Sequence, residues 1–284
     1  MYSILQLIER SASYLNTKGV ESSRLNAELL LANVLNCNRI ELYLKYDQPL
    51  SELEIVKYRD FISRRGKREP LQYIIGNVEF YGINFSVNHN VLIPRQETEI
   101  LIDTIISFVN KNEEIKILDI GTGSGNIPIA LAKNLPNAKI DSIDISEKAI
   151  EIAGQNSKIN NVENRINFLL VDINNFNPIN YEMYDFIVSN PPYINSTEYN
   201  LLEKELLEYE PEIALTDFND GLSFYRVISQ KTKSLLKSKG KVFFEVGISQ
   251  SLIVKNLMEQ NDFCEIKIVK DYLGIDRVVY GELK

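Results

Sequence analysis

Four short apolar runs constrain this chain more than any other feature, because each leads into a glycine, an aspartate or an asparagine. Ile115–Ile120 opens into the turn Gly121-Thr122-Gly123-Ser124-Gly125, with Asp119 just before it. Residues 138–143 end in Asp144, residues 166–171 in Asp172, and Tyr184–Ser189 in Asn190-Pro191-Pro192-Tyr193. Runs of this length and composition fit strands buried on both faces. Helical spacing lies between them, over residues 126–135 and from the N-cap Ser146 to residue 160. Strands that alternate with helices build a parallel sheet covered on both faces, and ligands bind outside the carboxyl ends of its strands. Gly121, Asp144, Asp172 and Asn190 should therefore share one rim. Further on, the pattern predicts a helix over residues 222–236 stopped by Gly240 and a fifth strand over 241–246. An antiparallel pair, 263–269 with 277–280, should close around a turn at 271–276. The expected fold class is α/β and Rossmann-like.

The chemistry is read from two of these strand ends. In Asn190-Pro191-Pro192-Tyr193 the prolines forbid further ladder or helix and remove two N–H donors. The remaining groups are acceptors, the Asn190 side-chain oxygen and the proline-segment carbonyls, beside the Tyr193 ring. That set suits a planar –NH2 group, with two hydrogens to donate and a flat face to stack. A rigid loop after a strand is the plain alternative. The glycine turn departs from the dinucleotide fingerprint G-x-G-x-x-G, since its third glycine comes one residue early and Asn126 fills the expected slot. Asp119 adds a carboxylate beside the turn, which suits an ammonium better than a pyrophosphate. S-adenosylmethionine carries an ammonium, a sulfonium and no phosphate, and is the expected cofactor. Asp144, roughly 20 residues past the glycines, is placed for ribose hydroxyls. Asp172 is a candidate acceptor for the adenine amino group, with Ile173 and Phe176 to cover the ring.

Upstream, the texture is helical. Ser3 with Gln6 and Ser51 with Glu54 read as capping boxes that open helices over residues 4–15 and 52–65. Apolar periodicity marks two more, at 25–35 and 40–46, so residues 1–70 should form a small helical bundle. It ends in Arg64, Arg65, Lys67 and Arg68, which either complement a helix C-terminus or meet an acidic or RNA-bound partner. Residues 71–95 alternate and read as a linker with a β-hairpin, Tyr81-Gly82 at its tip. Residues 96–284 would then be the catalytic domain. Glu97 and Glu99 open a helix over 100–109, as macrodipole partners or as ligand contacts, and Arg95 beside them is a candidate substrate contact.

Composition removes several classes. The chain has 284 residues with a formal net charge of -8, which disfavours nonspecific adhesion to nucleic acid. Two distant cysteines, Cys37 and Cys264, and the single histidine, His89, fit no metal site and no Ser-His-Asp set. No basic-then-apolar start and no run long enough for a bilayer is seen, so a cytoplasmic location is the default expectation.

The full set resembles the HemK/PrmC family of glutamine-specific protein methyltransferases, nearly from end to end. Asp119–Gly125, Asp144 and Asn190–Tyr193 look like motifs shared by methyltransferases generally. Leu71-Gln72-Tyr73-Ile74 with Gly76, Glu79-Phe80-Tyr81-Gly82, Ile93-Pro94-Arg95 with Glu97-Thr98-Glu99, Tyr209-Glu210-Pro211, Asp220-Gly221-Leu222, Glu245-Val246-Gly247 and Asp276-Arg277-Val278 look particular to this family. One departure is Gln96, where the family usually has a second proline, and it bears on the stiffness of that segment. The resemblance implies an enzyme that methylates the glutamine of the Gly-Gly-Gln loop in peptide-chain release factors, in translation termination, with the helical domain helping to hold that partner; a monomer is the default expectation. Methylation of exocyclic amines on RNA or DNA is the alternative that the residues themselves leave open, since those amines are also flat –NH2 groups.

Overall fold

The computed structural model describes residues 2–110, 112–177 and 183–284. They divide into two compact units, Met1–Asn77 with Glu203–Tyr209, and Val78–Leu202 with Glu210–Lys284.

The first unit packs α1 (Ile4–Thr17), α2 (Ser23–Val34), α3 (Arg39–Leu44), α4 (Glu52–Gly66) and α5 (Leu71–Ile75) around Ile8, Leu15, Leu30, Leu31 and Tyr58. Both capping boxes form: Ser3 Oγ accepts from the Gln6 amide and Ser51 Oγ from the Glu54 amide. Tyr58 is buried, and its hydroxyl donates to the Ala27 carbonyl at 3.1 Å, so its one polar atom has a partner. The three arginines of the basic cluster are engaged within this unit. Arg64 pairs with Glu69 at 2.5 Å, and the buried Arg65 donates to Asn26 at 2.8 Å and to Glu205 at 3.0 Å. Arg68 pairs with the same Glu205 at 2.8 Å. Residues 71–75, expected to be extended, are helical instead. Five apolar residues do not distinguish the two periods. Pro70 at the N-cap and Gly76 at φ 87° frame one helical turn that buries Tyr73 and Ile74.

The second unit begins with the hairpin of β1 (Asn77–Phe80) and β2 (Ile83–Ser86). Its tip residues Tyr81 and Gly82 have φ of 52° and 67°, the backbone that a tight two-residue hairpin requires. Tyr81 tolerates it with two anchors: its amide donates to Glu99 Oε1 at 2.9 Å and its hydroxyl to Asp103 at 2.6 Å. Next come α6 (Thr98–Ile106), β3 (Ile115–Ile120), α7 (Asn126–Asn134), β4 (Ala138–Asp144), α8 (Glu147–Ile159), β5 (Ile166–Leu170) and β6 (Tyr184–Ser189). The chain continues through α9 (Ser196–Tyr199), α10 (Lys204–Tyr209, in the first unit), α11 (Ser223–Thr232), β7 (Leu236–Glu245), α12 (Ser251–Gln260), β8 (Phe263–Lys270) and β9 (Asp276–Leu283).

Seven strands form one sheet in the order β5-β4-β3-β6-β7-β9-β8. The first five run parallel, and β9 lies antiparallel to both of its neighbours. Alternation along the strands supplies two cores. Ile117, Val188 and Phe243 pack with α6 and α7 on one face, while Leu118, Ile187 and Phe244 pack with α11 and α12 on the other. The helix placed over 222–236 ends at Thr232, and Gly240 lies inside β7, where the register against β6 jumps between Tyr184 and Phe186. Leu235 and Leu236 are buried, and the core claims them as strand approach and strand.

Candidate functional site

From β3 the chain goes outward through β4 to β5, then returns to the other side of β3 with β6. The gap between β3 and β6 is therefore a topological switch point, where open α/β sheets bind ligands. Ile120 and Ser189 are register partners, and Ser189 Oγ donates to the Ile120 carbonyl at 2.8 Å. Both strands end there, so the glycine turn and the Asn190 loop start side by side. They open into one cavity of about 310 Å³ that Gly121, Thr122, Gly123, Ser124, Asp144, Asp172, Ile173, Asn190, Pro191 and Pro192 help to line. Its apolar wall includes Leu92, Pro94, Ile145, Val171, Ile213 and Phe224. Arg95 stands on the same wall with its Nη2 on Glu210, at 2.6 and 2.7 Å from the two carboxylate oxygens.

The glycine turn is held by carboxylates. Gly121, Gly123 and Gly125 have φ of 81°, 54° and 81°, a region that side chains rarely enter. Gly125 also packs closely, since a Cβ there would meet the Ala153 Cβ at 3.0 Å. Asp144 accepts from the Gly123 amide through Oδ2 and from the Ser146 amide through Oδ1, each at 2.9 Å. Burial raises its pKa against those amides. Asp119 is fully buried. Its Oδ2 accepts from the Ser142 hydroxyl at 2.6 Å, and Oδ1 has no hydrogen-bond partner. Desolvation pushes its pKa up to about 7, opposed by the Ser142 and Thr122 hydroxyls and helped by the nearby Asp144. An acid so placed holds a strong acceptor in reserve, which fits a cationic group and repels a phosphate.

Asp172 caps the short turn Ile173–Asn175, accepting from the Asn174 amide at 2.8 Å. Ile173 faces the cavity, whereas Phe176 is turned into the core beside Tyr184, 6.4 Å between ring centroids, and is not part of the lining.

The Asn190–Tyr193 loop is clamped from behind. The Gln250 amide donates to the Tyr193 carbonyl at 2.8 Å. A Cβ on Gly247 would fall 2.9 Å from Tyr193 Cδ2, and one on Gly221 would run into the Tyr193 carbonyl. These two glycines are absent side chains that let the tyrosine in. Burial raises the Tyr193 pKa well above the usual phenol range, so its hydroxyl stays neutral. Asn190 Nδ2 lies 3.3 Å from Thr98 Oγ1.

Several neighbours were not singled out in the sequence. Ser142 is a buried hydroxyl with no motif of its own, and Thr98, also buried, was legible only as part of Glu97-Thr98-Glu99. Asn156 is buried on α8 and holds both Ser86 of the hairpin, by two hydrogen bonds, and the Ser124 carbonyl at 2.9 Å. Glu97 faces Arg277 at 3.5 Å and Glu99 accepts from Tyr81, so both are occupied away from the cavity lining. Among the described residues, no group of three or more His, Cys, Asp or Glu is arranged for a metal, and no helix is long and apolar enough to cross a membrane.

A seven-strand sheet with one reversed strand, a glycine turn backed by acids and an acceptor loop at the switch point define a Rossmann-like methyltransferase. The family model described as "Methyltransferase small domain" matches residues 96–213, and "PrmC N-terminal domain" matches residues 6–76. The chain belongs to the release factor glutamine methyltransferase family. It is 42% identical over 280 residues to the Release factor glutamine methyltransferase of Fusobacterium nucleatum, covering 98% of this chain and 78% of that one. It is 38% identical over 283 residues to the protein of that name from Geobacter sulfurreducens, covering 100% and 98%. Among solved structures, the hMettl16 catalytic domain in complex with MAT2A 3'UTR hairpin 6 superposes with a TM-score of 0.56, at 14% identity over 82% of this chain and 83% of that one, a likeness of fold.

Proposed function

We propose that this protein methylates the side-chain amide nitrogen of the glutamine in the Gly-Gly-Gln loop of peptide-chain release factors, using S-adenosylmethionine, in the cytoplasm and as a monomer. The observation that carries the reading is the single cavity onto which the glycine turn after β3 and the Asn190 loop after β6 both open. S-adenosylmethionine, when bound, supplies an electrophilic methyl on a sulfonium centre. The residues fit it. Asp119, with its unpartnered Oδ1, would balance the ammonium behind Gly121–Gly125. Asp144 has acceptor sites left for ribose hydroxyls after two amide bonds, since a carboxylate offers about four. Asp172 and Ile173 would take the adenine.

An amide nitrogen is a weak nucleophile because its lone pair is delocalised into the carbonyl. Asn190 Oδ1 and the Pro191 carbonyl would accept the two N–H bonds, turn the lone pair toward the methyl and favour pyramidalisation; as the N–C bond forms, the C–S bond breaks, and one N–H proton is then released to solvent. Pro192 stiffens the loop, and Tyr193, expected to stack on the amide plane, packs on the core outside the cavity lining and would back the loop instead. With no strong base in the loop, most of the acceleration comes from positioning, worth roughly 7–11 kcal/mol when reacting atoms sit about 3–3.5 Å apart. Arg95, anchored by Glu210, would guide the substrate loop at the cavity wall. The helical unit, residues 1–70 with part of the linker over 71–95, would hold the release factor while residues 96–284 act on it.

The net charge of -8 favours a protein substrate over nucleic acid. Incubation of the protein with cofactor and a release factor, followed by mass spectrometry of the Gly-Gly-Gln peptide, should show one added methyl on the glutamine. Asn190→Ala should cost rate by about 100-fold or more while cofactor affinity holds. An unmodified release factor, or methyl groups recovered on RNA or DNA instead, would sink the reading.

A further inference from the structure

Glu245 is the last residue of β7, paired with Val278 of β9, and its side chain is 2% exposed. Its Oε2 is buried without a hydrogen-bond partner. Burial pushes its pKa up to about 7, opposed by the Thr98 hydroxyl and the Asn190 amide beside it. Nearby Arg277 is taken by Asp271 at 2.8 Å and faces Glu97 at 3.5 Å. This carboxyl is not in the cavity lining, and the scheme above gives it no role.

An asparagine amide has two ends of nearly equal size, and only its surroundings decide which end points where. An ionised carboxylate accepts and cannot donate, while a threonine hydroxyl can donate to the carboxylate and accept from the amide at once. Ser189 and Phe244 are register partners, so Asn190 and Glu245 follow them side by side at the ends of β6 and β7. The Nδ2 end faces Thr98 at 3.3 Å, and Asn190 lines the cavity. We propose that Glu245, acting with Thr98, is a positioning residue that fixes the Asn190 amide with its oxygen toward the substrate, so that an incoming –NH2 meets an acceptor and never a donor. The inference rests on the methyl-acceptor reading given above for Asn190.

A side chain that merely fills space and one that orients an amide respond differently to paired substitution. Glu245→Gln keeps the shape but adds a donor, so both orientations of Asn190 become satisfied and part of the population presents N–H to the substrate. Asn190→Asp removes the ambiguity but sets a second carboxylate against Glu245. In Asn190→Asp with Glu245→Gln, the aspartate has a donor behind it and an acceptor in front, whichever way it turns. The test is a double-substitution cycle on the full-length enzyme with a release factor as methyl acceptor, at about pH 8.5, where a carboxyl of even strongly raised pKa is ionised. Glu245→Gln should lower kcat by about 10-fold with cofactor Kd unchanged, and the double variant should be about 10-fold faster than Asn190→Asp alone, a rescue within the range of coupling for touching groups. Additive losses would overturn the proposal. The second readout needs no substrate: in ¹⁵N-labelled protein, Glu245→Gln should shift the Asn190 side-chain NH2 resonances and speed their exchange, and unchanged resonances would also overturn it. A parent enzyme that leaves the release factor unmodified would remove the substrate reading, while the NH2 resonances still decide the amide's orientation.

Discussion

Gly221→Ala tests whether the Tyr193 loop is held in place from behind. Gly221 has φ +78°, where an alanine costs roughly 1–2 kcal/mol. Its Cβ would also collide with the Tyr193 carbonyl oxygen and stand 3.0 Å from Gln250 Nε2 and 3.2 Å from the Tyr193 carbonyl carbon. Ordinary contact begins at 3.4 Å, and the oxygen is backbone, unable to swing aside alone. The Tyr193 peptide must retreat by about 1 Å, a misplacement that costs on the order of 100-fold in rate when it reaches a positioned reactant. It would also break the 2.8 Å bond from Gln250, worth about 1 kcal/mol. The expected result is a kcat lower by about 100-fold, cofactor Kd within about 3-fold of the parent, and a fold weaker by roughly 2–3 kcal/mol. Gly82→Ala is the control, because φ is +67° there with nothing within 4 Å of the added Cβ. It should share the backbone strain and leave kcat alone. Methyl transfer to a release factor, calorimetric cofactor binding and denaturant melts give the three readouts. A Gly221→Ala enzyme working at near the parent rate would refute the clamp, and equal rate losses in both variants would show that strain alone explains the effect.

Asp119 and Glu245 should make the ligand-free fold less stable toward alkaline pH. Both have folded pKa values raised to about 7 by burial, so in the folded state they keep protons that the unfolded chain has released. Stability then falls as pH rises from about 4 to about 7, by on the order of 3 kcal/mol for each acid. Melts across that range should show the slope, Asp119→Asn with Glu245→Gln should flatten it, and a parent whose stability climbs steadily through the window contradicts the placement. Asp119→Asn should also weaken cofactor binding by at least about 10-fold, because an amide no longer balances an ammonium, and calorimetry at about pH 8 reads this directly. Tyr58→Phe in the helical unit should cost about 1 kcal/mol for the lost bond to Ala27, measured by denaturant melts, with cofactor affinity unchanged.

The sequence by itself determined the sheet and its rim. Buried parallel strands need continuous apolar runs, and the polar residue that follows such a run must lie past its end; Ile115–Ile120 and Tyr184–Ser189 were readable to the residue. The hairpin tip was equally local, because Tyr81-Gly82 needs only its own backbone preference and two flanking alternations. What failed was also local in origin. Residues 71–75 and the stretch around Leu235 and Leu236 are apolar at any period, and packing chose helix for one and strand for the other. The tertiary structure alone decided which neighbours meet. It brought Thr98, Glu245 and Asn190 together from three separate elements, put Ser142 under Asp119, and turned Phe176 away from the cavity. Spacing along a chain reports the direction of a side chain from its own strand or helix. It carries no information on which residue from a distant strand will stand beside it, since that depends on sheet order and register.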